Sequence, residues 1–130
     1  MYLLKPYTAQ LLSVFRIMSG LLFLQHGTTK YLSIPVTKMS GVAPLSIGGA
    51  AGLIELVGGI LIVIGLFTRP VAFILSGTMA VAYFYAHFPQ GFFPILNGGE
   101  LSALYCFVFL FVAAAGGGAW SVDQLRTRNK

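Results

Sequence analysis

Four continuous apolar runs, at residues 8–25, 46–67, 71–88 and 101–120, take up most of this 130-residue chain and leave no room for a separate soluble domain. A bilayer-spanning helix needs about 20 mostly apolar residues, and each run approaches that length. Spanning strands are excluded: the runs do not alternate polar with apolar, and there are too few to close a barrel. With 57% hydrophobic and 8% charged residues, and a mean hydropathy of +0.86, the chain has too little charge to dress a soluble surface. The expected fold is all-α, a single domain forming a four-helix transmembrane bundle with up-down topology.

Lys5 followed by an apolar stretch has the look of a secretory signal, but Arg16 interrupts that stretch and no small-x-small cleavage site follows closely, so it reads as the first span. Basic residues in short loops set orientation. Lys5, Arg69, Arg126, Arg128 and Lys130 fall on one side, Lys30 and Lys38 on the other. Both termini are therefore expected in the cytoplasm, with loops 25–45 and 89–99 outside. The net charge of +5 then reflects topology and lipid headgroups rather than nucleic acid. The lone cysteine, Cys106, rules out an internal disulfide and any CxxC redox pair.

Local punctuation fits these spans. Thr68-Arg69-Pro70 joins the second and third runs, with Pro70 suited to a first helical turn. Asn97, three positions before Glu100, reads as a capping box opening the fourth helix. Pro35, Gly41 and Pro44 break the first outer loop.

Two charges lie inside the runs, Arg16 in the first and Glu55 in the second. A charge at bilayer depth costs at least about 2.5 kcal/mol, so such residues pair and mark interior sites. At ~1.5 Å per residue, Arg16 lies roughly 13 Å into the first helix and Glu55 roughly 18 Å above the cytoplasmic end of the second. Ser13, Arg16 and Gly20 share one stripe, and Gly48, Gly52, Glu55 and Gly59 another. An Arg16–Glu55 ion pair is expected across the two helices. It reads either as a register lock or as a proton acceptor or ligand contact at Glu55.

A second polar group is expected at the outer face. His26 closes the first run, His87 closes the third and Glu100 opens the fourth, with Lys30 nearby. Tyr83, one turn before His87, is placed to orient it, and Gln25 and Asn97 add hydrogen-bonding capacity. Histidines beside a carboxylate suit proton exchange near neutrality. Phe88, with Phe92 and Phe93, offers ring faces for a flat ligand or an interfacial belt. Each member also has an ordinary reading, Glu100 as a helix cap and the histidines as inert interfacial groups. Paired histidines also hold haem iron, but no further ligands at metal spacing accompany them, and no metal site is assigned.

The first-span Arg16, the segment FLQHGTTKYL, Gly52 to Glu55 with GGILIVIGLFTRP, and AHFPQGFFPILNGGELSALY followed by GGGAWSVD together resemble the DoxX family of small membrane proteins. The resemblance implies a four-helix bundle of a bacterial inner membrane, loosely associated with membrane oxidoreductases that include subunits linked to thiosulfate and quinone. The family's recurrent polar positions match Arg16, His26, Lys30, Glu55, His87, Asn97 and Glu100. The leading expectation is a quinone-associated membrane subunit of an oxidoreductase. In it His26, His87 and Glu100 exchange protons with a quinone head, Gln25, Lys30, Tyr83, Phe88 and Asn97 help bind it, and Arg16 and Glu55 support the pocket. Electrons would come from a membrane or soluble redox partner. The alternative is a non-catalytic assembly or structural subunit, packing against larger partners through Gly58, Gly59, Gly65 and the glycines at 116–118. A proton or solute conductor ranks third, since four helices need homo-oligomerisation to enclose a pore. No nucleotide fingerprint, phosphate loop or nucleophile triad is visible.

Overall fold

Local sequence signals place the helix ends, and the computed structural model describes residues 2–129. A 3₁₀ segment, Tyr2–Tyr7, leads into α1, Thr8–Leu32. α2 spans Ile47–Ile64 and α3 spans Thr68–Ala82. α3 runs on through a π turn, Tyr83–His87, and a 3₁₀ turn, Phe88–Gln90. A short α4, Pro94–Asn97, precedes α5, Glu100–Ala115, and α6, Val122–Arg128, follows. The described residues contain no strand. Three helical stretches, Tyr2–Leu32, Ile47–Ile64 and Thr68–Gln90, are long and apolar enough to cross a membrane, whereas apolar α5 is shorter.

The helix bounds differ from the apolar runs for identifiable reasons. α1 continues seven residues past Gln25, through polar His26, Thr28, Thr29 and Lys30, because that stretch packs on α2. α2 stops at Ile64 because Gly65 adopts φ +72° and closes the last turn on the Leu61 and Ile62 carbonyls. α5 stops at Ala115 rather than residue 120, because Gly116 and Gly118 take φ +88° and +78°. Lys130 lies outside the described residues.

The helices pair α1 with α2 and α3 with α5. Along the α1/α2 seam, a Cβ on Gly20 would touch Ile62, one on Gly59 would touch Leu24, and one on Gly27 would lie 2.5 Å from the Leu56 backbone nitrogen. Small residues let backbones approach in lipid, where apolar side chains gain little by leaving the acyl chains. Between α3 and α5 the Ser76 hydroxyl donates to the Cys106 carbonyl at 2.7 Å. Phe23, Ile62, Leu75, Phe109 and Val112 fill the centre. Large apolar side chains such as Leu53, Phe73, Phe107 and Phe111 face outward. A soluble domain does not expose so much apolar surface, and lipid is its natural solvent.

Candidate functional site

Arg16 is fully buried, but its partner is not Glu55. Nε donates to the Gly117 carbonyl at 2.8 Å, Nη1 to the carbonyls of Ile62 and Val63, and Nη2 to that of Trp120. The expected ion pair is corrected by register. Arg16 meets the C-terminal end of α2, and Glu55 lies eight residues away from Val63, about 12 Å along the helix. The Ile62 carbonyl has only the Gly65 N–H of the closing turn, and the last carbonyls of α2 carry the negative end of its dipole, so a guanidinium completes the bonding and balances the charge. Arg69 does the same for α5 through the carbonyls of Ala113, Ala114 and Ala115.

Glu55 pairs instead with Lys30, whose Nζ donates to Oε2 at 2.7 Å, with the two side chains 11% and 5% exposed. The seam that brings Gly27 onto Leu56 and Gly52 onto Lys30 and Tyr31 puts these charges together. Tyr31 Oη fixes the same level by donating to the Gly49 carbonyl at 2.6 Å. Behind the pair opens a cleft of about 460 Å³ between α2, α3 and the π turn. Its lining is mostly apolar, with Ile54, Gly77, Val81 and Tyr85 around Lys30 and Glu55. The π turn adds a residue to the helical ladder there, a distortion common at functional sites.

The outer group expected from His26, His87 and Glu100 is divided in the structure, and no hydrogen bond or ion pair joins these three among the described residues. His26 lies one turn before Lys30 and packs its ring against Phe23 and Tyr105, with centroids 6.3 and 6.2 Å away. It lines a small cleft of about 140 Å³ with Gln25, Thr29 and Pro35. His87 belongs to the other loop, where its Nδ1–H donates to the Asn97 carbonyl at 3.1 Å. Glu100 is exposed at the start of α5.

The capping box is corrected as well. Gly99, not Asn97, occupies the cap of α5, and no side chain closes it. Asn97 is buried and its amide is committed to the loop: Nδ2 donates to the Gly91 carbonyl at 2.8 Å and to Tyr83 Oη at 3.4 Å, while Oδ1 accepts from the Gly99 N–H at 2.8 Å. Phe88 is exposed, its ring 6.4 Å from those of Tyr83 and Phe92.

Sequence reasoning missed Asp123 and Ser121. The Asp123 carboxylate accepts from the Phe67 and Thr68 N–H groups at 2.9 and 2.8 Å and caps α3 from a distant segment. Burial pushes this carboxyl up, but the Thr68 and Phe67 donors and the Arg126 charge outweigh it and hold the group below its ordinary value. Ser121 caps α6 through Gln124 N–H. The signal available was Ser121-x-Asp123 after a glycine run, which marks a helix start but not the partner it reaches.

Three long apolar helices, a buried ion pair and a mostly apolar cleft, with no strand among the described residues, define a helical membrane protein. The sequence model of the DoxX family matches residues 11–88, and the chain belongs to the DoxX family. It is 44% identical over 128 residues to an uncharacterized protein of Haemophilus influenzae (strain ATCC 51907 / DSM 11121 / KW20 / Rd), covering 93% of this chain and 94% of that protein. No solved structure matches it.

Proposed function

We propose that this protein is a quinone-associated membrane subunit of an oxidoreductase system, and that the ring of the quinone lies in the cleft between α2 and α3. The observation that carries the reading is the Lys30–Glu55 pair set in the wall of an otherwise apolar cavity of about 460 Å³. That volume falls in the range of small-molecule pockets, about 300–1,000 Å³, with few polar groups fixing orientation. A Cβ on Gly77 would meet nothing within 4 Å, so space remains where a ring edge would approach α3. A quinone supplies two-electron chemistry at paired ring carbonyls. Lys30 would offer N–H donors to one carbonyl oxygen, and Glu55 would hold Lys30 in place and exchange a proton on the same side.

The bundle in this reading has four membrane helices, with α5 as the short fourth, in a bacterial inner membrane with both termini cytoplasmic. Electrons come from a partner protein. His87 and Asn97 hold the outer loop rather than the ligand. Little supports the assembly-subunit alternative on its named residues: the Gly58, Gly59 and Gly65 positions face Leu75, Leu24 and Ser121 of the same chain.

The test is binding of a short-chain benzoquinone to the purified protein in nanodiscs. Gly77→Leu fills the cleft without touching the ion pair and is expected to abolish binding. Glu55→Gln should weaken it about tenfold or more, the worth of a charged hydrogen bond. His87→Ala should bind as the wild type does. Unchanged binding in Gly77→Leu sinks the site.

A further inference from the structure

The two helix pairs meet along two seams, and the chain fills these differently. Between α1 and α5 aromatic rings occupy the space: Phe23 meets Phe109 and Tyr105 at centroid distances of 4.8 and 5.3 Å, and Phe15 meets Phe111 at 6.0 Å. Between α2 and α3 stand aliphatic side chains and a glycine, and a groove of about 320 Å³ stays open. Val57 and Leu61 form one wall and Val71 and Ile74 the other. Fully buried Leu75 makes the floor, held against Gly58, where a Cβ would lie 2.6 Å from the Leu75 Cδ2. Val57 and Ile74 are 50% and 57% exposed, so the groove opens sideways, toward lipid.

This groove continues the cleft behind Lys30 and Glu55. Ile54 lines both. The cleft takes its walls from residues 47–55 of α2 and 77–86 of α3, and the groove from 53–61 and 71–75, so the two follow one another down the antiparallel helices. From Leu53 to Leu61 the groove runs about 12 Å, away from the ion pair and toward the α2/α3 corner. Its lining residues are all apolar. A track with a charged pair at one end and only hydrocarbon beyond fits a molecule that carries a polar head on a long apolar chain.

We propose that the ligand of the cleft is a lipid-soluble quinone whose polyprenyl tail lies in the α2/α3 groove. The inference rests on the quinone reading above and adds where the chain goes. The molecule enters sideways from the bilayer between α2 and α3, its ring stops at Lys30, and its tail stays at acyl-chain depth. In lipid the tail gains little from leaving other hydrocarbon, so the groove contributes van der Waals contact with its walls and a fixed direction for the ring.

The test is photo-crosslinking of the full chain in nanodiscs with two diazirine probes, a benzoquinone bearing the group near the end of a prenyl chain and a phospholipid bearing it on an acyl chain. Labelled residues are mapped by mass spectrometry. The quinone probe should mark Val57, Leu61, Val71 and Ile74 about fivefold over the outward-facing Phe73 and Phe107, and unlabelled prenyl quinone should compete it away. Val57→Phe narrows one wall and should cut the groove label about fivefold, and Ile74→Phe on the facing wall should act alike. A label spread evenly over the lipid-facing side chains overturns the tail site. So does equal marking of the groove by the phospholipid probe, which would make it an ordinary lipid contact. The ring site is read separately: short-chain benzoquinone binding that is lost in Gly77→Leu, together with a scattered chain label, retires the tail proposal alone, whereas no short-chain binding in the wild type retires the quinone reading with it.

Discussion

At the residue scale, the buried Arg16 is committed to backbone carbonyls, while Lys30 is committed to a carboxylate. Arg16 is legible as a buried charge from sequence alone, but its partners are not, because carbonyl oxygens carry no sequence signature. Four carbonyls on two segments take a forked donor, which a lysine ammonium cannot imitate. Arg16→Gln is expected to lower stability by about 3 kcal/mol or more, since buried acceptors lose their donors together, and Arg16→Lys should rescue little of it. Thermal unfolding in detergent followed by circular dichroism reads this, and a wild-type melting temperature in Arg16→Gln would refute it. Asp123 yields a pH prediction. Its folded-state pKa lies below the ordinary 3.8, so its contribution is complete above that value and disappears as pH falls through the folded pKa. Asp123→Asn should cost about 1 kcal/mol at pH 7, as expected for a lost helix cap. The gap between variant and wild type should narrow as pH drops below about 4. A gap constant with pH would show that the carboxylate charge is not what caps α3.

At the element scale, glycine placement governs which helices can touch. The stripe Gly48, Gly52, Glu55 and Gly59 was readable as a packing face. The register of α1 on it was not, because α1 runs on to Leu32 with no break at His26 or Gly27. Those seven extra residues carry Lys30 to Glu55, and Arg16 meets the end of α2, which is why a pairing argued from depth and helix faces chose the wrong cation. The glycines are not equivalent. On Gly27 a Cβ would press on Leu56 backbone at 2.5 Å, whereas Gly77 has open space. Gly27→Ala should therefore pry the seam apart and cost about 1–3 kcal/mol, typical of overpacking. Gly77→Ala should stabilise by up to about 1 kcal/mol through helix propensity. Equal melting temperatures for the two variants would show that the seam tolerates a wider spacing than the structure gives it.

For the whole molecule, the helical membrane class was fixed by the four apolar runs, and the joining of distant segments was the hidden part. Ala119 N–H donates to the Ala9 carbonyl, and Asp123 N–H to that of Gly65, so the start of α1, the α2/α3 corner and the chain beyond α5 meet at one end. Such contacts arise from close backbone approach at the 116–118 glycines, which sequence shows only as a break. The arrangement also sharpens the charge argument for orientation. Lys30, counted at first as an outer-loop charge, is neutralised by Glu55, so Lys38 stands alone at the loop end against exposed Lys5, Arg69, Arg126 and Arg128 at the terminal end. Lys/Arg bias in short loops sets topology, so that end should face the cytoplasm. In a Cys106→Ala background, Lys38→Cys should react with a membrane-impermeant maleimide in spheroplasts, and Thr127→Cys only after permeabilisation. The reverse pattern would turn the bundle over, placing Arg69 outside and the His26 cleft within the cell; labelling of both in intact spheroplasts would mean that the chain does not cross the bilayer as an up-down bundle.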